Sequence, residues 1–125
     1  MNNYALVKPE DLKRKPDKTV VAVSIGEFLQ MEIPPREFIL EPVLTTQSLT
    51  MLFASRGVGK THVALGIAYA VASGGAFLKW QAPKPKRVLY LDGEMPAGTM
   101  QSRMAEMVQR SETEPPSPDF LRLVT

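Results

Sequence analysis

Ala54-Ser55-Arg56-Gly57-Val58-Gly59-Lys60-Thr61 follows the apolar run Leu49-Thr50-Met51-Leu52-Phe53 and precedes the helix-like run from Val63 to Ala72. The order predicted is strand, glycine-bearing loop, helix. Gly57 and Gly59 let the backbone curl so that successive N–H groups turn inward at the positive end of the following helix, which suits polyphosphate oxygens. Lys60 supplies a point charge for the outer phosphates. The Thr61 hydroxyl is placed to ligate the Mg²⁺ that accompanies a nucleotide. Ala54 stands where such loops usually begin with glycine, a mild departure, because a small residue suffices where a strand turns into the loop. The stretch reads as a P-loop spanning Ala54, Ser55, Arg56, Gly57, Val58, Gly59, Lys60 and Thr61. His62 is the next residue on the helix. It is taken with the loop as a cofactor-binding position; with no second ligand near it in sequence, it suits the helix surface better than a metal site.

Working outward, Lys60 to Ser73 is apolar nearly all round, with Val63, Ala64, Ile67, Ala68 and Val71 at helical spacing, so this helix is expected to be buried on more than one side. Gly74-Gly75 ends it. Ala76 to Arg87, with Trp80, Pro83 and Pro85, reads as a loop. Val88-Leu89-Tyr90-Leu91 is the uninterrupted apolar run of a parallel strand covered on both faces. Pro96 opens a second helix, Ala97 to Arg110, whose Met100, Met104, Met107 and Val108 form one apolar stripe expected in the core. Glu112 to Pro118 is a Pro-rich connection, and Phe120 to Val124 begins a third strand. The alternation of strands and helices predicts an α/β fold with a parallel, doubly wound sheet.

Upstream, residues 1–18 are rich in Lys, Asp, Glu and Pro and read as a mobile tail. A lead-in segment follows over 19–47. Val20 to Val23 is a β-branched run, and Ser24-Ile25-Gly26-Glu27 has the spacing at which hydroxyl and carboxylate cap each other's backbone N–H groups, starting a short helix to about Met31. Pro34-Pro35 stops it. Phe38 to Leu44 is extended but interrupted by Pro42, hence an edge or lead-in. Thr45-Thr46-Gln47 is expected to turn into the P-loop strand.

Composition narrows the function classes. The 125 residues are 44% apolar, enough for one modest core, and the chain has no cysteine, which removes disulfide scaffolds and Cys-based metal sites. No run approaches the roughly 18 apolar residues of a membrane span, and the N-terminus is too polar for a secretory signal. A soluble cytoplasmic protein is expected. The net charge of +2 gives little argument for nucleic acid. Lys13-Arg14-Lys15 and the Lys84, Lys86, Arg87 cluster suit solvated segments better than a DNA patch. Tyr69 and Trp80 suit packing better than base stacking.

Ligands of doubly wound sheets bind beyond the carboxyl ends of the strands. Asp92 and Glu94 stand at that place after Leu91. A carboxylate there, beside the P-loop, could orient or deprotonate a water attacking a γ-phosphate. Equally, both could cap the helix after Pro96, since carboxylates favour helix N-termini. Spacing alone leaves the two readings level.

The P-loop, the buried helix and Leu91-Asp92-Gly93-Glu94-Met95-Pro96 resemble the RecA/DnaB-type P-loop ATPases, most closely the RepA-like group of plasmid and phage replicative helicases and their AAA-family relatives. Ser24 to Leu44 and Gly74-Gly75-Ala76-Phe77-Leu78 leading to Trp80 also look like that group. The resemblance covers about residues 20–125. It implies a RecA-like core, ATP and Mg²⁺ as cofactors with Thr61 on the metal, and Lys60 and Glu94 as catalytic residues, Glu94 being the base. Asp92 has no equally firm family role. The resemblance also implies a homo-oligomeric ring, commonly a hexamer, driven by ATP along single-stranded DNA in DNA replication. The Walker B aspartate, the arginine finger and the DNA-contacting loops of that family have no counterpart after Glu94. The chain is therefore expected to be the amino-terminal part of a longer protein, with 48–125 the first part of the ATPase domain. In the resembled fold the P-loop strand and the glutamate strand are not neighbours. A RecA-type recombination or repair ATPase and a non-catalytic nucleotide-binding remnant are the alternative readings.

Overall fold

The computed structural model describes residues 22–124. The tail over 1–18 and the first part of the Val20–Val23 run lie outside the described residues. The chain divides into two units between Pro34 and Pro35.

The first unit contains helix α1, Ile25–Gln30. The expected capping box starts it. The Ser24 N–H donates to the Glu27 carboxylate at 2.8 Å, and the Glu27 N–H donates to Ser24 Oγ at 3.3 Å.

In the second unit, Phe38–Leu40 (β1) and Leu44–Thr45 (β2) pair antiparallel around Pro42. The segment read as one interrupted strand is thus a small hairpin. Helix α2 spans Lys60–Ser73 and closes at Gly74. Ala76–Phe77 (β3) and Trp80–Gln81 (β4) form a second antiparallel hairpin where a loop was expected. Two residues per strand leave too short an alternation to read as a period. Strand β5, Val88–Leu91, precedes helix α3, Ala97–Arg110; a 3₁₀ turn at Pro118–Phe120 then leads into β6, Leu121–Val124. β5 and β6 pair in parallel, Val88 opposite Leu121 and Leu91 opposite Val124.

The architecture mixes helices and strands as expected, but among the described residues the strands form three two-stranded sheets. The single continuous parallel sheet expected from the sequence is replaced by one parallel pair and two hairpins. The expected P-loop strand is the reason. Leu49–Phe53 joins no ladder, and Leu49, Met51 and Phe53 are 98%, 82% and 83% exposed. A strand exists only by its partner's hydrogen bonds, and β5 pairs on one edge alone, with β6. An apolar cleft of about 540 Å³ is lined by Thr50 and Leu52 of the Leu49–Phe53 segment, by Val88 and Tyr90 of β5, and by Ile67 and Val71 of α2.

The core surrounds the distal part of α2. Leu65, Ala68, Tyr69, Ala70, Val71 and Ala72 are buried, and Leu40 and Ala82 pack with Ala70 and Val71. Small side chains allow this close approach, as at Gly66, where an added Cβ would run into the Phe77 ring. Trp80 packs against the core beside Phe77, and the Tyr69 hydroxyl donates to the Thr113 carbonyl, so both aromatics are packing residues as read. On α3 only Met100 is fully buried. Met104 and Met107 are half-buried and Val108 is 45% exposed, so the stripe expected in the core is buried mainly at its start. No helix among the described residues is long and apolar enough to cross a membrane.

Candidate functional site: a phosphate loop facing an acidic strand end

The loop before α2 has the backbone that its glycines permit. Gly57 and Gly59 adopt φ of 84° and 91°, the left-handed region that costs an L side chain about 1 kcal/mol or more. Gly59 is the N-cap of α2 and has no side chain to satisfy the free N–H groups of the first turn. Those donors stay available for an anion. A Cβ placed on either glycine meets nothing within 4 Å, so open space lies in front of the curl. The Lys60 ammonium bends back over the loop, donating to the carbonyls of Ala54 at 2.6 Å and Ser55 at 2.9 Å.

Facing the loop is the segment after β5. The Asp92 carboxylate accepts from the backbone N–H groups of Glu94 at 2.8 Å and Met95 at 2.9 Å. These two bonds, to Met95 first, hold the Asp92 carboxyl below the usual carboxylate range. Asp92 therefore shapes the turn after β5; it does not cap α3, whose N-cap Pro96 is followed by no side-chain capping bond, so the helix-capping role weighed for it is not seen. Glu94 is exposed and lines a cavity of about 460 Å³ with Arg56, Gly57, Gly59, Lys60, Thr61 and Arg103. The residues read as phosphate binder, metal ligand and water-activating base thus meet in one cavity. Ala54 and Ser55 contribute their carbonyls to Lys60, and the Val58 side chain is 61% exposed. His62 lines a separate cavity between α2 and α3.

Arg103, not among the residues expected at the site, also lines the cavity of Lys60 and Glu94. It lies on α3 beside Met100 and Met104, on the flank of the apolar stripe, and that flank faces the loop. A cation bordering a buried stripe was the signal. Burial raises the Tyr90 phenol, the Asp92 charge adds to that shift and the Arg103 charge opposes it, so Arg103 and Asp92 both lie near the end of β5. Elsewhere the basic cluster is occupied. Lys84 and Lys86 pair with Glu37 at 3.0 and 3.3 Å, and Arg87 lies over the Phe120 ring at 5.8 Å.

The residues present fit a nucleotide triphosphate with its magnesium ion: an open backbone curl, a lysine, a hydroxyl and further cations. Among the described residues, no group of three or more His, Asp or Glu side chains is arranged to hold a metal alone. A metal at Thr61 would have to arrive with phosphate oxygens. A family model described as an AAA domain matches residues 9–125. The chain belongs to the AAA domain family. No curated protein and no solved structure matches it. As an AAA domain it is of the P-loop ATPase type.

Proposed function

We propose that this AAA domain binds and hydrolyses ATP as the motor of a replicative helicase of the RepA-like type, acting in DNA replication. The observation that carries the catalytic part is the convergence of Glu94 with Lys60 and Thr61 on one cavity. Lys60 leaves the Ala54 and Ser55 carbonyls and donates to phosphate oxygens instead. The Gly57–Lys60 backbone N–H groups cradle the phosphates at the start of α2. Thr61 gives its hydroxyl to magnesium, which when bound neutralises the charge developing on the transferred phosphoryl group. Glu94 orients a water in line with the γ-phosphate and takes its proton, while Asp92 keeps the backbone of Glu94 in place. Arg56 and Arg103 add positive charge around the phosphates.

The helicase part rests on the resemblance of Leu91 to Pro96 and of the lead-in segment. Single-stranded DNA is the expected partner and a homo-oligomeric ring the expected assembly. The experiment is ATP turnover by the wild type and Glu94→Gln, each with and without single-stranded DNA. Turnover that rises with DNA and disappears in Glu94→Gln supports the reading. Binding without turnover in the wild type would leave a nucleotide-binding module.

A further inference from the structure

Two separate pieces of chain line the phosphate cavity. The loop and the first residues of α2 give Arg56, Gly57, Gly59, Lys60 and Thr61; the segment after β5 and helix α3 give Glu94 and Arg103. Arg103 stands one helical turn after Met100, which is 2% exposed and anchors this part of α3, while Arg103 itself is exposed. We propose that Arg103 reads the terminal phosphate of the nucleotide, so that the site tells a triphosphate from a diphosphate. The inference rests on the nucleotide reading given above and deepens it.

The division of labour follows from which phosphate each piece of chain meets. The loop N–H groups and Lys60 belong to one short stretch and hold phosphates without counting them. Glu94, as the base, has to stand beside the phosphate under attack, which is the terminal one. Its carboxylate repels that phosphate, most strongly where water is excluded. A cation on the same piece of chain relieves the repulsion, and Arg103 is the cation that lines the cavity from there. A guanidinium suits the task, because its planar fork gives two parallel N–H bonds to one phosphoryl group. It is also uncommitted: the four ion pairs among the described residues use Lys84, Lys86, Arg110 and Arg122 as their cations. The Arg103 charge opposes the upward shift of the Tyr90 phenol, so the guanidinium lies towards the end of β5, where the turn carrying Glu94 begins. A diphosphate held in the loop gives Arg103 no terminal phosphate to meet and Glu94 none to repel.

The test is calorimetry with magnesium and either ADP or a non-hydrolysable ATP analogue, on the wild-type chain and on Arg103→Gln, Arg103→Lys and Arg56→Gln. Arg103 is exposed and both of its replacements are good helix formers, so α3 is kept. The wild type is expected to prefer the triphosphate. Arg103→Gln then loses about tenfold or more in triphosphate affinity, the scale of a charge-assisted hydrogen bond, and keeps its affinity for ADP. Arg103→Lys retains part of the preference. Arg56→Gln removes the same charge from the loop and weakens both nucleotides alike. Equal wild-type affinity for the two nucleotides, or an undiminished preference in Arg103→Gln, would overturn the terminal-phosphate role while leaving the phosphate site intact. An equal loss of preference in Arg56→Gln and Arg103→Gln would overturn it too, since net charge and not position would then be the cause. Failure of the wild type to bind either nucleotide would instead overturn the nucleotide reading, and this inference with it.

Discussion

The Lys60 ammonium donates to the Ala54 carbonyl oxygen at 2.6 Å, from the helical end of the loop back to its beginning. The charge that should meet phosphate is thus already above the curl, held by neutral acceptors that a phosphate oxygen outcompetes. Lys60→Ala is expected to weaken triphosphate binding about 10- to 100-fold, the range of a charged hydrogen bond at ~1.5–3 kcal/mol. Titration with a fluorescent ATP analogue checks it; an unchanged Kd would remove Lys60 from the site.

Glu94 and Asp92 are predicted to separate cleanly. Glu94→Gln should bind ATP as the wild type does and lose about 10²- to 10⁴-fold in turnover, the usual contribution of a positioned general base. Asp92→Asn keeps an acceptor for the two backbone donors and should lose much less. Equal losses in the two variants would contradict the division of roles.

Acid should act through Asp92. Its folded pKa lies below the unfolded value of about 3.9, because the Met95 and Glu94 N–H groups donate to the ionised form. The stabilisation is therefore complete above pH ~4 and disappears as pH falls through the lower, folded value. Melting temperatures of wild type and Asp92→Ala should differ at pH 6 and converge towards pH 2. A gap that stays constant over this range would assign the effect to something other than charge.

Gly66→Ala should destabilise the chain by about 1–3 kcal/mol, the cost of overpacking, because the new methyl meets the Phe77 ring. Phe77→Leu alone should also destabilise it. Combined, the two changes should cost less than their sum, since the smaller side chain makes room for the methyl. Strict additivity in chemical denaturation would mean that the two residues do not share this space.

The exposed run before the loop predicts association. Leu49, Met51 and Phe53 leave an apolar surface and an unpaired backbone in solvent, a template for contact with another chain. The 125-residue chain is expected to self-associate at micromolar concentration, and Met51→Lys with Phe53→Lys to reduce this in light scattering. A wild type that stays monomeric with a sharp, reversible thermal transition would refute it.

How far the sequence could be read follows from which interactions are local. Ser24 with Glu27, Gly59 and Gly74 at the ends of α2, and Pro96 before α3 act within one turn of chain, and each boundary appears where those residues put it. The hairpins at Phe38–Thr45 and Ala76–Gln81 depend on pairings of two or three residues and gave no period. Leu49–Phe53 has the composition of a strand, but composition cannot supply a neighbour. At the site, Lys60, Thr61 and Glu94 were legible as chemistry. Along the chain Arg103 shows only as a cation beside the apolar stripe of α3; that it reaches the loop, and where His62 lies, depends on the crossing of α2 and α3.

Helix α2 is held very differently at its two ends. From Leu65 onward it is walled in, and Gln81 donates to the Gly74 and Gly75 carbonyls, the Lys86 N–H to Val71 and the Thr113 hydroxyl to Ser73. Its first turn carries Lys60, Thr61 and His62 near solvent, with a glycine before it and no capping side chain. One rod therefore contains a gradient of local unfolding free energy, steepest where the core begins. A ligand at the exposed end would flatten that gradient by raising the stability of the first turn towards that of the walled-in part, so the helix would open as one piece instead of fraying from its start.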